Sequence, residues 1–256
     1  MKRLLLPTAL LATLTLLWVT AGAEDITRAE IDKIIQDIDT LYRAESSHSV
    51  AEMEIVTPHW TRTLEMEVWT EGIEKTFVRI LAPKKERGMA TLRIENEMWN
   101  YLPKTNKVIK VPPSMMMSSW MGSDFTNDDL VHEFSLFEDY EYYPAEVDDP
   151  DSNLIYVKSV PHEDLPIVWG HIIIVATADE HMPVRQEYYD EKGTLMRVMK
   201  YSDIRMFDGR RLPSQMTMIP QNEEGNRTTL RYKNLEFNVN LDEGEVFSLR
   251  NLRSHN

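Results

Sequence analysis

The chain has 256 residues, with 42 acidic against 28 basic side chains, a formal net charge of −14 and no cysteine. A chain this acidic repels phosphate backbones, so we expect no nucleic-acid partner and no attraction to an anionic lipid surface. The lack of cysteine in the sequence excludes disulfides, thiolate chemistry and thiolate metal sites.

The first 23 residues have the pattern of a secretory signal peptide. Two basic residues precede the apolar stretch 4–19, and the small residues Ala21 to Ala23 form a cleavage site. The apolar stretch is shorter than the roughly 20 residues of a membrane-spanning helix, although an uncleaved anchor is the alternative. We therefore expect cleavage after Ala23 and one mature domain, residues 24–256, in a bacterial periplasm. No cysteine stands at the cleavage point, so we expect no lipid anchor.

An amphipathic helix is predicted between Ile26 and Ala44, because apolar residues recur there at spacings of three and four. Thr27 and Glu30 match a capping box, and Ile26 with Ile31 matches a hydrophobic staple. The apolar stripe of this helix must cover another part of the protein.

After the helix the hydrophobic period changes to two. Residues 51–55 and 64–68 alternate apolar with acidic side chains, which is typical of strands with one exposed face. The apolar positions change parity after Tyr232, which predicts a bulge near Lys233 or Asn234. Hairpin turns are indicated at Glu71-Gly72, Lys192-Gly193, Asp208-Gly209 and Glu224-Gly225. The sequence therefore predicts an antiparallel meander, and it lacks the βαβ rhythm of a nucleotide-binding parallel sheet.

One segment, residues 99–130, interrupts the strand pattern with the densest methionine and aromatic content of the chain. Pro112 and Pro113 end the strand before it, because proline donates no ladder hydrogen bond. A methionine cluster adapts to ligands of varying shape, such as an acyl chain, and the alternative is that these residues fill an ordinary core. The candidate lid or entrance contacts are Met115, Met116, Met117, Trp120, Met121 and Phe125. Weaker candidates for the cavity lining, from alternation alone, are Met53, Met66, Val68, Met98, Leu102, Met216 and Met218.

The oxygen-rich run 124–129 suggests a calcium loop. An EF-hand loop starting at Asp124 would need glycine at its sixth position and glutamate at its twelfth, where this chain has Asp129 and Ser135. The spacing fails, so we expect no metal site here. Asp124 or Thr126 is instead expected to cap a short helix that runs to Val131.

No catalytic motif is visible in the sequence. It has no nucleophile elbow, no zinc-protease motif, no P-loop and no dinucleotide fingerprint, and its seven histidines are spread singly. We therefore expect neither an enzyme nor a cofactor. A hydrolase whose site the sequence does not reveal is the alternative.

The run LRIENEMWNYLPKTNKVIKVPPSMMMSSWMGSDFTNDDL, residues 92–130, resembles the outer-membrane lipoprotein-sorting protein family, relatives of the LolA and LolB lipoprotein carriers. The resemblance continues through FDGRRLPSQMTM and VFSLRNL and covers essentially the whole mature chain. It implies a mainly β fold with a few helices (α+β). The expected architecture is an unclosed antiparallel β-barrel of about eleven strands with a helical lid over a hydrophobic cavity.

The same resemblance implies a function. A member of this family is expected to be a periplasmic carrier or chaperone that binds acyl chains of lipoproteins or other lipids and moves them toward the outer membrane. An inner-membrane transporter and an outer-membrane acceptor are the implied partners. The alternative is a subunit that carries nothing and docks on an inner-membrane lipid or lipoprotein transporter.

Overall fold

The computed structural model describes residues 26–131, 137–163, 165 and 167–254, so the predicted signal peptide lies outside the described residues. The helices are α1 (Arg28–Thr40), α2 (Asn127–Val131), α3 (Glu243–Val246) and α4 (Leu249–Leu252), and a 3-10 turn spans Pro113–Met115. The strands are β1 (Ser46–Val56), β2 (Thr61–Glu71), β3 (Lys75–Ala82), β4 (Ala90–Ile94), β5 (Glu97–Leu102), β6 (Lys107–Lys110), β7 (Tyr140–Pro144), β8 (Leu154–Pro161), β9 (His171–Thr177), β10 (Pro183–Tyr189), β11 (Leu195–Phe207), β12 (Arg210–Pro220) and β13 (Arg227–Phe237).

All thirteen strands in the described part of the chain form one antiparallel sheet, in the order β6-β5-β4-β3-β2-β1-β13-β12-β11-β10-β9-β8-β7. Two meanders, β1 to β6 and β7 to β13, meet where β1 pairs with β13. The edge strands β6 and β7 do not pair with each other, so the sheet is unclosed. The predicted fold class is confirmed, with thirteen strands rather than about eleven.

The sheet is strongly curved. Strands β2 and β9 stand six positions apart in the sheet order, which would separate them by about 29 Å in a flat sheet. Val68 of β2 and Ile172 of β9 nevertheless line the same cavity. The sheet therefore has a concave face that encloses space and a convex face that points away from it.

Helix α1 covers the concave face of β7 to β9. The predicted capping box is confirmed: Glu30 N donates to Thr27 Oγ1 at 3.3 Å, and Thr27 N donates to Glu30 Oε2 at 2.8 Å. Four buried isoleucines of α1 pack on the apolar residues of β7 to β9. The helix ends at Thr40 rather than continuing to Ala44. The residues that follow leave the helix because Leu41, Tyr42 and Ala44 pack on the buried cluster of Phe207 and Leu235.

The predicted bulge is also confirmed. Val50 lies opposite Asn234 and Ala51 lies opposite Tyr232, so Lys233 is the extra residue in β13. The predicted hairpin at Asp208-Gly209 has positive φ values of 45° and 80° at its two central residues, as a two-residue turn between right-twisted strands requires.

The C-terminal helices lie on the opposite side of the sheet. Leu252 of α4 is fully buried against Phe77 and Leu92, and Arg79 Nη2 donates to the carbonyl oxygen of Asn251 at 2.6 Å. The convex face of β3 to β5 is thus covered by the end of the chain. Within the part of the chain that the structure describes, no helix is long and apolar enough to cross a membrane.

Candidate functional site

A cavity of about 380 Å³ lies on the concave face of the sheet. Its floor comes from strands of both meanders, and α1 contributes Ile38 to its wall. A second cover is the segment of residues 112–131, which we call the cover segment and which contributes Phe125, Asp128 and Asp129. The loop before β9 contributes Ile167, Val168 and Trp169. The cavity therefore lies between the sheet and three separate covering elements.

Five tyrosines line the cavity: Tyr42, Tyr140, Tyr188, Tyr201 and Tyr232. Burial raises the pKa of Tyr188 to about 12 and raises the pKa of Tyr42, Tyr140 and Tyr201 as well. The hydroxyl groups are therefore neutral at physiological pH. Tyr188 donates to Gln186 Oε1 at 2.7 Å, and Tyr42 donates to the carbonyl oxygen of Pro213 at 2.7 Å. The wall therefore combines apolar ring faces with many polar groups, which include Ser47, Ser49, Thr70 and the acidic Asp39, Asp128 and Asp129.

A buried arginine lies among these tyrosines. The Arg197 side chain is 9% exposed and pairs bidentately with Asp129: Nη1 and Nη2 donate to the two carboxylate oxygens at 2.8 and 2.6 Å. Its guanidinium lies 4.4 Å from the ring centre of Trp169 and 4.5 Å from that of Tyr188. Burial disfavours the charge, but the bonds and charge of Asp129 outweigh burial and raise the pKa of Arg197.

Asp129 also caps helix α2. Its Oδ2 accepts from Thr126 N at 2.8 Å and from Thr126 Oγ1 at 2.9 Å, while Asp129 N donates to Thr126 Oγ1 at 3.1 Å. Thr126 thus takes the capping role that was predicted for Asp124 or Thr126. Asp124 is bonded to Thr228 instead, and burial raises the pKa of its carboxyl. The carboxylate of Asp129 therefore joins the cover segment to Arg197 of β11.

Trp120 anchors the cover segment at its other end. The side chain is 2% exposed and packs with Met53, Met66 and other buried residues of β1 to β3. Its indole Nε1 donates to Thr91 Oγ1 at 3.1 Å. A second, smaller cavity of about 70 Å³ lies beside Trp120 and Met121.

The structure separates the candidate lid residues into two groups. Trp120, Met121 and Phe125 pack inward, and of these Phe125 lines the main cavity. Met121 has a positive φ of 54°, and its carbonyl oxygen accepts from Arg62 Nη2. Met115 and Met117 are 50% and 48% exposed, and Met116 is half-buried. None of these three methionines contributes to the cavity lining in the described structure.

The weaker lining candidates are scattered over several parts of the sheet. Val68 and Met218 line the main cavity, whereas Met53 and Met66 pack beneath Trp120. Leu102 lines the smaller cavity. Met98 is buried opposite Arg93, and Met216 lies opposite Tyr201 in the sheet.

Sequence reasoning missed Arg197, Asp129 as its partner, and Trp169. A signal for Arg197 was present: it is a charged residue inside the apolar run LMRVM of β11. Its partner stands 68 residues away in the chain, so no local pattern joins the two. Among the described residues no group of three His, Asp or Glu side chains could hold a metal ion.

A family model described as "Uncharacterized protein" matches residues 72–254 of the chain. No curated protein matches the sequence.

Solved structures resemble the protein over most of its length. One is a DUF1329 family protein from Desulfovibrio piger, 21% identical with a TM-score of 0.75, covering 86% of this chain and 97% of that chain. Another is a putative outer membrane lipoprotein-sorting protein domain from Vibrio parahaemolyticus, which is 20% identical with a TM-score of 0.73 and covers 87% of this chain and 98% of that chain. A third is a LolA superfamily protein from Nitrosomonas europaea, which is 19% identical with a TM-score of 0.69 and covers 86% of this chain and 97% of that chain. These likenesses establish the fold, and they confirm the resemblance that the sequence indicated.

Proposed function

The chain belongs to the family of uncharacterized proteins whose model matches residues 72–254, and we propose that it is a periplasmic carrier of lipids. It binds acyl chains of lipoproteins or other lipids and moves them toward the outer membrane. The observation that carries this proposal is the cavity of about 380 Å³ between the concave face of the sheet and the elements that cover it. The likeness to a lipoprotein-sorting domain and to a LolA superfamily protein supports it at the level of fold.

The physical requirement for such a carrier is to hide an acyl chain from water, at about 0.8 kcal/mol per CH₂ group. A small closed barrel fills its interior with its own side chains, whereas an open, curved sheet leaves room for a guest. The cavity lies at the low end of the range of about 300–1,000 Å³ that is usual for ligand pockets. The closed form therefore suits one acyl chain, and a cargo with more chains requires the cover segment to move.

The compartment follows from the signal-peptide pattern of residues 1–23. A carrier that is exported and cut free works in the aqueous gap that lipids do not cross unaided. It receives its cargo from an inner-membrane transporter and gives it to an acceptor at the outer membrane.

The test is binding by purified protein. Native mass spectrometry of protein taken from cells should show one bound acyl species, and the delipidated protein should bind a fluorescent fatty acid. Met199 lines the cavity, so Met199→Trp places a larger, rigid ring in the path of the acyl chain and should abolish binding. Met206 lies on the same strand with its side chain largely exposed, so Met206→Trp is the matched control. A wild-type protein that carries no lipid and binds no probe would contradict the proposal.

A second candidate function rests on the exposure of Met115 and Met117. Exposed apolar groups of this kind mark interaction sites, so this surface suits a subunit that docks on an inner-membrane transporter and carries nothing. Met115→Asp combined with Met117→Asp should then abolish capture of the transporter. If Met199→Trp leaves transport in cells unchanged while the double variant stops it, the docking subunit replaces the carrier.

A further inference from the structure

The guanidinium of Arg197 packs against two aromatic rings. The ring centres of Trp169 and Tyr188 lie 4.4 and 4.5 Å from it and 5.2 Å from each other, so the two rings are neighbours and do not sandwich the group. Nη1 and Nη2 point away from the backbone toward the two carboxylate oxygens of Asp129, so an acceptor meets the group along its N–H bonds. This is the geometry in which arginine binds carboxylates and phosphates through two parallel hydrogen bonds.

Asp129 occupies that position in the described structure. Arg197 depends on this ion pair more than Asp129 does. Asp129 keeps two hydrogen bonds from Thr126 if it leaves the arginine. Among the described residues Nε of Arg197 has no hydrogen-bond partner, and its other two nitrogens bond Asp129. A buried charge without a counter-charge is strongly unfavourable, so Arg197 needs another anion whenever the cover segment moves away.

The other basic side chain of the lining does not compete for this role. Arg43 pairs with Asp39, four residues before it, at 3.0 Å, and that pair moves as one piece. Arg197 and Asp129 belong to different elements, β11 and α2, and separate when the cover segment lifts.

From this geometry we infer that Arg197 is an anion-binding residue of the cavity and that the cargo is a lipid with a carboxylate or phosphate headgroup. The headgroup takes the place of Asp129 on the guanidinium while the acyl chain lies among the tyrosine rings. The inference rests on the proposed carrier function and narrows its cargo to acidic lipids. Binding and displacement of the cover segment are then one event, because the headgroup and Asp129 compete for the same two N–H bonds.

The test compares three ligands that share a twelve-carbon chain: dodecanoate, dodecyl phosphate and dodecanol. Their affinities for the delipidated protein are measured by calorimetry. A charge-assisted pair favours the anions, so at least one of them should bind about tenfold or more tightly than dodecanol. The order of the two anions tells whether a carboxylate or a phosphate is preferred.

Variants separate the headgroup contact from the chain contact. Arg197→Gln should lower the affinity for the anions to that for dodecanol and leave dodecanol unchanged. Arg185 lies on the neighbouring strand in a groove on the opposite face, so Arg185→Gln is the matched control and should keep the wild-type ratio. Asp129→Asn removes the competing charge and should tighten binding of the anions alone. Mere loosening of the cover segment would change all three ligands alike.

Asp129→Asn keeps the inference falsifiable if Arg197→Gln does not fold, which circular dichroism will show. Equal binding of the three ligands by the wild type, or an unchanged ratio in Asp129→Asn, overturns the anion site and leaves the carrier standing. Failure of all three ligands to bind overturns the carrier and the anion site together.

Discussion

At the scale of single residues, Trp120 shows how a side chain that looks like a ligand contact can be structural. The sequence placed it among candidate entrance contacts because it lies in a methionine cluster. The structure buries its ring to 2% exposure and gives its indole nitrogen a partner in Thr91. Removing a buried aromatic side chain of this kind leaves a void that the surroundings fill only in part.

We therefore predict that Trp120→Ala lowers the free energy of unfolding by about 3–5 kcal/mol. Trp120→Asp should lower it further, because a carboxylate is buried without a partner. The Trp60 side chain is 45% exposed, so Trp60→Ala is the control and should lower the free energy of unfolding much less than Trp120→Ala does. Urea unfolding followed by circular dichroism measures each value. A Trp120→Ala protein of wild-type stability that has lost lipid binding would show an entrance contact instead.

The cavity tyrosines give the protein a pH dependence on the alkaline side. Burial raises the pKa of Tyr188 from 10.0 to about 12. The unfolded chain loses this proton first as the pH rises, so the contribution to stability is complete below pH 10 and is lost between pH 10 and about 12.

Tyr188→Phe should accordingly reduce the fall in the free energy of unfolding over that interval. The replacement keeps the ring that lies on Arg197. Tyr156→Phe on β8 controls for the loss of a hydroxyl. Denaturant unfolding at a series of pH values gives the slope, and a slope that Tyr188→Phe leaves unchanged would refute the prediction.

At the scale of elements, the sequence predicted those features that depend on residues close together in the chain. The start of α1 followed from Thr27 and Glu30, and the bulge at Lys233 followed from a change of parity. The end of α1 did not follow, because Leu41 and Tyr42 are drawn out of the helix by contacts with strands late in the chain. The pair of Arg197 and Asp129 was not predicted for the same reason, because only the tertiary fold brings α2 next to β11. Trp120 and Phe125 were both predicted as lid or entrance contacts, and their different surroundings depend on tertiary packing.

Helix α4 illustrates an element that exists only through its tertiary contacts. Four residues are too few to form a stable helix alone, so its position depends on the burial of Leu252 against β3 and β4. We predict that Leu252→Ala lowers the free energy of unfolding by about 2–5 kcal/mol. Leu249 is in the same helix and is 45% exposed, whereas Leu252 is fully buried. Leu249→Ala should therefore have a small effect in the same urea experiment, and equal losses for both variants would contradict the packing described.

At the scale of the whole molecule, the curved sheet divides the apolar interior into separate regions. The concave face holds the cavity, with α1 and the cover segment above it, while α3 and α4 close the convex face of β3 to β5. No residue of α3 or α4 lines the cavity in the described structure. Ligand binding and the docking of the C-terminal helices should therefore contribute independently to stability.

This independence yields a quantitative prediction. A ligand at 100 times its dissociation constant stabilises the folded state by about 2.7 kcal/mol, which raises the melting temperature of a chain of this size by about 5–11 °C. Leu252→Ala should melt at a lower temperature than wild type yet show the same ligand-induced rise in stability, because separate sites contribute additively. Met199→Trp should show no rise. Scanning calorimetry with and without dodecanoate measures both effects, and a ligand response that shrinks in Leu252→Ala would mean that the two faces of the sheet are coupled.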